Sequence, residues 1–277
     1  MVRNMYLSSV IKKFMFCMSL LFSVNAFGFD FKAKGVYFKI TSEEELTVSL
    51  TAPDYRGHYE GDVVIPEYVT YKGKKYNVTS LDKMSFWGCN LVNSLTIPNS
   101  IVSIEASFSD CYHIKSVTLH CKNVKENMFG EKKYLETVML GKGVETVGKH
   151  AFYHCPNLKS LTISNTVKTI GGFAFEGCRS LESVTIPSSV RSIGKQAFWG
   201  CENLRQLVIS EGVVEIGSYA FAHCKKLTSV VIPNSVKTSG NEPFYACGLS
   251  RISVPKHFTT EDLYPYRAGT IIKRDEE

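Results

Sequence analysis

Seven cysteines recur every 22 or 23 residues along this chain, with one place skipped between the second and third: Cys89, Cys111, Cys155, Cys178, Cys201, Cys224 and Cys247. A thiol can pair as a disulfide, ligate zinc as the thiolate, or attack as a nucleophile, and each role demands its own spacing. No C-x-x-C is present, and thiols that return once per repeating unit project the same way, so they do not converge on a tetrahedron. Equivalent residues of stacked strands lie about 4.8 Å apart with parallel Cα–Cβ bonds, wider than the ~3.5–4.5 Å between Cβ atoms that a disulfide prefers. Buried free thiols filling a narrow column are therefore expected. Cys121, beside His120, falls outside this column and is expected to be a packed loop residue. His150 and His154 stand four apart with Cys155 adjacent, a spacing that on a helical turn can share a metal. His154, however, fills a slot that other units give to Gly177, Gly200 and His223, which reads as an exposed, permissive position. The chain contains no G-x-S-x-G elbow, no H-E-x-x-H, no phosphate loop and no dinucleotide fingerprint. The expectation is a non-enzymatic protein without cofactor or metal.

What must position these residues is a repeat. One phenylalanine marks each unit: Phe86, Phe108, Phe129, Phe152, Phe175, Phe198, Phe221 and Phe244, separated by 22, 21, 23, 23, 23, 23 and 23 residues. Counting from it, position +6 is apolar in all but the last unit, and +9 and +11 are apolar throughout the first seven, as in Leu181, Val184 and Ile186. Positions +8 to +11, such as "SVTI" at 183–186, alternate polar and apolar with β-branched residues and predict a short strand. Pro98, Pro187 and Pro233 follow such strands, and the apolar pair Val190 and Ile193 predicts a second short extended piece. Gly171, Gly194 and Gly217 are expected to turn the chain, and "QAFWGC", Gln196 to Cys201, to form one helical or 3₁₀ turn. One such unit cannot bury its own Leu, Val, Ile, Phe and Cys, but a stack of them buries a continuous core. The predicted fold is a β-rich repeat solenoid with short helical or 3₁₀ turns.

"LESVTIPSSVRSIGKQAFWGC", Leu181 to Cys201, resembles position by position the BspA-type leucine-rich repeat of bacterial surface proteins, and the resemblance covers Val63 to Pro255. "GVYFKI" (Gly35 to Ile40), "LTVSLT" (Leu46 to Thr51) and the segment from Tyr59 to Leu81 resemble that family's strand-rich N-terminal cap, which an open solenoid end needs to cover apolar core and unpaired strand edge. Three units depart from the pattern. The unit from Phe108 is two residues short, the unit from Phe129 has Lys132 in the cysteine place, and the unit from Phe244 has Pro243 for Ala and degenerates toward a C-terminal cap.

The N-terminus carries Arg3, Lys12 and Lys13 before the uncharged stretch Phe14 to Gly28, with a small-x-small exit at Val24 to Ala26. These are the parts of a secretory signal peptide cleaved after about Ala26. Its removal lowers the formal charge from +6 to +3, with no basic stripe for nucleic acid and no later segment apolar enough to cross a membrane. The expected organisation is a signal peptide at 1–26, a β-rich cap at 27–81, a solenoid of about eight units at 82–255 and a C-terminal tail at 256–277.

Two surfaces are candidates for binding. The outward positions +8 and +10 of the main strands form a hydroxyl-rich face, on which Thr162, Thr185, Gln206 and Ser229 are the chosen contacts. Position +1 places the aromatics Trp87, Tyr153, Trp199 and Tyr245 along a rim, where they either pack against the next unit or stack on a ligand. The family resemblance implies a secreted or cell-surface protein, adhesin-like, whose partner is an extracellular protein: a host matrix protein or another bacterial surface protein. A glycan-binding accessory protein and a structural envelope component are the alternatives.

Overall fold

The structure, a computed structural model, describes residues 28–53 and 57–258, together with the backbone of Ile271–Arg274. The expected signal segment lies outside the described residues. Each phenylalanine marks one coil of a β-solenoid. A coil runs through a main strand such as Ser183–Ile186, a turn, a two-residue second strand such as Ser192–Ile193, and a series of turns leading to the next Phe and Cys. The alternation in the sequence sets the burial: Val184 and Ile186 face in, Ser183 and Thr185 face out. Strands pair in parallel with a shift of one unit, so that Val138 meets Leu161 and Ile170 meets Ile193. Equivalent residues therefore stack directly on one another.

The marker phenylalanines form the spine of the core. From Phe129 to Phe244 the rings are stacked at centroid distances of 5.8, 5.2, 5.1, 5.3 and 5.4 Å, and none is exposed. Offset stacking of this kind favours aromatic rings beyond the area they bury. At the N-terminal end Tyr59 continues the column, 5.3 Å from Phe86; it accepts a hydrogen bond from the Tyr37 N–H at 3.2 Å and donates to the Thr51 carbonyl. The cap above it is a sheet in the order Phe31–Ala33, Val36–Ser42, Thr47–Thr51, Lys74–Leu81, Tyr68–Tyr71. At the other end Ile271–Arg274, within the expected polar tail, adds a parallel strand to Arg251–Val254.

The main-strand ladder is interrupted twice. Ser160–Ile163 is not laddered to Ser183–Ile186, nor Gln206–Ile209 to Ser229–Val231, although the strands lie side by side. At laddered junctions the residue after the strand donates back one coil: His120 to Ile97, Gly141 to Leu119, Ser164 to Leu140, Ser210 to Ile186. Pro187 and Pro233 hold that place at the two interruptions, and proline has no N–H to give. Pro98 follows a six-residue strand, Val92–Ile97, which stays paired with Gly61–Val64. There the Ile65 N–H donates forward to the Thr96 carbonyl and helps to hold the pairing.

Two expectations about the turns are corrected. Among the described residues there is no helix, and "QAFWGC" forms a chain of hydrogen-bonded turns instead. A 3₁₀ helix needs consecutive i→i+3 bonds. Here the N–H groups alternate: Ala197, Trp199 and Cys201 donate within the coil, while Gln196, Phe198 and Gly200 donate to Ser218, Ala220 and Ala222 of the next coil. The alternation needs left-handed backbone two residues before and two after the phenylalanine, as at Gln196 (φ 55) and Gly200 (φ 69). Gly171, Gly194 and Gly217, for their part, do not turn the chain through positive φ. They let coils touch: a Cβ on Gly194 would lie 2.4 Å from the Gly172 nitrogen, and one on Gly217 would lie 2.5 Å from the Lys195 nitrogen.

Candidate functional site

The main strands present the broadest regular surface. Thr162 and Thr185 at +10, and Gln206 and Ser229 at +8, are all exposed on it. Ladder pairing sets Ser183 beside Gln206 and Thr185 beside Val208, so the outward side chains form rows rather than a scatter. The same rows carry Met139, Val208 and Val231, which are 42%, 53% and 60% exposed. The face is thus hydroxyl-rich at its centre and apolar toward the C-terminal coils. One residue before each main strand, Lys115, Glu136, Lys159, Glu182 and Arg205 alternate in sign along the stack. The Lys159 ammonium lies 3.2 Å from the Glu136 carboxylate, and both are largely exposed, so the row screens itself and contributes little to stability. It offers no single-sign field of the kind that draws nucleic acid.

The aromatic rim is less uniform than the sequence implied. Trp87 is 50% and Tyr245 40% exposed, whereas Tyr153 and Trp199 are half-buried. The Tyr153 ring stacks on His154 at 4.0 Å, and Trp199 meets His223 edge-on at 5.0 Å. His150 and His154 occupy the two left-handed positions of one coil, with φ of 55 and 50. Tyr153 lies against both rings, edge-on to His150 at 5.2 Å and stacked on His154, and His150 also stacks on Phe173 at 4.8 Å. Among the described residues no group of three His, Cys, Asp or Glu is placed to hold a metal ion.

The eight cysteines of the described residues are free thiols, and all but Cys247 are buried. The column has a reason that composition alone did not reveal. Cys155, Cys178, Cys201 and Cys224 each donate from Sγ to the carbonyl of the phenylalanine one coil back, at 3.2, 3.4, 3.4 and 3.5 Å. A small apolar side chain would fill the space without this donor; the Phe175 and Phe198 carbonyls take the thiol as a second donor beside the Cys178 and Cys201 N–H groups. Burial pushes the Cys111 and Cys155 thiols up to about 12, and Cys121 up to about 11. The thiolate needed for attack or ligation is strongly disfavoured at neutral pH. Lys132, in the same column, is buried and donates to the Ser109 carbonyl at 2.8 Å. Burial holds its ammonium below the usual lysine value.

Residues 74–163 and 145–268 match the family described as BspA type Leucine rich repeat region, in six copies. The chain belongs to the BspA-type leucine-rich repeat family. Its repeat fixes a protein-interaction scaffold as the coarse role, since a stack of like coils presents extended ordered faces. Among solved structures, the chain is similar to a leucine-rich repeat protein from Bacteroides ovatus, with 21% identity over 89% of this chain and 76% of that one, at a TM-score of 0.50. It is also similar to the leucine-rich repeat protein of T. pallidum, with 22% identity over 72% of this chain and 90% of that one, at a TM-score of 0.57. Both likenesses concern the fold. No curated protein matches the chain. Among the described residues no helix is long and apolar enough to cross a membrane.

Proposed function

We propose that this chain is a secreted or cell-surface protein that binds an extracellular protein through its main-strand face, adhesin-like and without enzymatic activity. The observation that carries this reading is the exposure of Thr162, Thr185, Gln206 and Ser229 on the outward face of successive main strands, beside the exposed Val208 and Val231. A face of small hydroxyls bordered by bare β-branched side chains is flat, and its strands are held rigid by packing beneath. Ordering it on binding therefore costs little side-chain entropy. A host matrix protein or another bacterial surface protein is large enough to span several coils at once.

The test is binding of the purified chain to paired arrays of host matrix proteins and glycans. Saturable binding to a matrix protein is expected, with a loss of at least tenfold when Thr162, Thr185 and Gln206 together become arginine. Glycan binding abolished by Trp199→Ala would replace this reading with a glycan-binding accessory role. Silence on both arrays, with the chain retained in envelope fractions, would replace it with a structural one.

A further inference from the structure

The coil of Phe108 is where the turn side of the stack stands open. Its unit is two residues short, and the loss falls between the main strand Ser116–Leu119 and the second strand Asn123–Val124. Asn123–Val124 pairs forward with Thr146–Val147 but not back with Ser103–Ile104, which pairs instead with the cap strand Lys74–Leu81. On the opposite side the main strands stay in register, Ser116–Leu119 being laddered to both Val92–Ile97 and Thr137–Leu140. The stack is closed along one side and parted along the other. The opening is a cleft of about 530 Å³, lined among others by Ala106, Phe108, Lys125, Met128, Gly130 and Lys132.

The walls of this cleft carry main-chain groups that every later junction uses. From Phe129 onward three N–H groups of each coil donate to three carbonyls of the next, beginning with Asn127 to Lys149, Phe129 to Ala151 and Glu131 to Tyr153. Across the cleft the equivalent bonds would run from Ala106, Phe108 and Asp110 to Glu126, Met128 and Gly130. None is made, and among the described residues those six groups have no other partner. Two lysines span the gap instead. Lys125 stands where later coils have glycine and donates to the Ile104 carbonyl, and Lys132 reaches Ser109. Main-chain N–H and C=O groups are strong hydrogen-bonding groups, so an open row of this kind favours a chain that can complete it.

We propose that the cleft binds an extended peptide segment of a partner protein, whose N–H groups complete the row at the Glu126, Met128 and Gly130 carbonyls and whose carbonyls meet the opposite wall. An extended chain offers both kinds of group along each edge, which is how unpaired strand edges take up peptides. The cleft volume lies within the ~300–1,000 Å³ usual for ligand sites. Glu126 and Glu131 line it alongside Lys125 and Lys132, so it has no single sign of charge and favours a neutral backbone over an inorganic anion. The proposal rests on the interaction role argued above but uses a different side of the molecule.

The probe is a displayed library of random heptapeptides selected against the purified chain, with the best binder resynthesised carrying alternate N-methyl amides. A saturable binder is expected, weakened at least tenfold by N-methylation in one alternate register and lost in Ser107→Trp. Ser107 is exposed on the rim; Ser109→Trp, also exposed, guards against misfolding of either variant, and a thermal melt checks both. No binder, a binder indifferent to both tryptophans, or one indifferent to N-methylation would each overturn the proposal. So would saturable inorganic phosphate binding that displaces the peptide without regard to N-methylation. Matrix-array binding without any peptide binder would remove the cleft and leave the main-strand face; peptide binding with a silent array would do the reverse.

Discussion

Gly194 and Gln196 stand two residues apart and answer opposite demands of the backbone. Gly194 has ordinary φ but no room for a Cβ; Gln196 has room but holds φ at 55. Gly194→Ala should destabilise the chain by about 1–3 kcal/mol in urea unfolding, because the atom it meets is main chain that cannot move without its coil. Gln196→Gly should be neutral or stabilise by up to about 1 kcal/mol, as relief of the left-handed strain outweighs the extra flexibility of glycine in the unfolded chain. A loss above about 1 kcal/mol on Gln196→Gly would show that its side chain matters more than its φ. Lys132 gives a pH prediction. Burial lowers its pKa from the usual 10.5, so the folded state gives up the proton at lower pH than the unfolded state does. The cost of burying the charge is complete below the lowered value and vanishes as pH rises to 10.5. Relative to Lys132→Met, the native chain should therefore gain stability between neutrality and about pH 10; a constant difference in paired urea melts would contradict the assignment.

Within single strands, Pro187 and Pro233 decide where the main ladder is continuous. Pro187→Ser supplies the donor that Ser164 and Ser210 supply in neighbouring coils. Hydrogen exchange at Ser183 and Thr185, whose N–H groups face the interruption, should slow, and the added bond is worth about 0.5–1.5 kcal/mol before the unfolded state's regained freedom is subtracted. Unchanged exchange would mean that coil spacing, rather than the missing donor, opens the ladder. The second strands show the opposite behaviour. Each has only two residues, yet they form one unbroken sheet from Asn123–Val124 to Thr238–Ser239, because the glycines beside them let the coils close up.

The molecule as a whole is held by a single apolar column from Phe31 in the cap to Phe258 past the last coil. Phe175, fully buried midway, contacts rings on both sides at 5.2 and 5.1 Å. Phe175→Ala should cost about 3–5 kcal/mol, and in a stack whose coils touch only their neighbours it should split unfolding into two transitions. A single transition with an undiminished urea slope would indicate that coupling extends beyond nearest neighbours.

Read without its fold, the chain already determines the period, the inward Leu, Val, Ile and Phe, the parallel strands and the free state of the thiols, because each follows from residue type and spacing within one unit. It also marks the irregular coil, through a unit two residues short and a lysine in the thiol column. Other features depend on the distance between one coil and the next, which no single unit encodes. Gly194 and Gly217 looked like turn residues until the neighbouring main chain was found against them. Gln196 and Phe173 gave no sign of left-handed backbone, since that conformation is imposed by carbonyls a coil away. The cysteine column fills space by sequence, but from Cys155 to Cys247 each thiol also meets a phenylalanine carbonyl one coil back. Main-chain hydrogen bonds between coils are made across 21 to 24 residues of sequence, and only the stacked chain brings their two ends together.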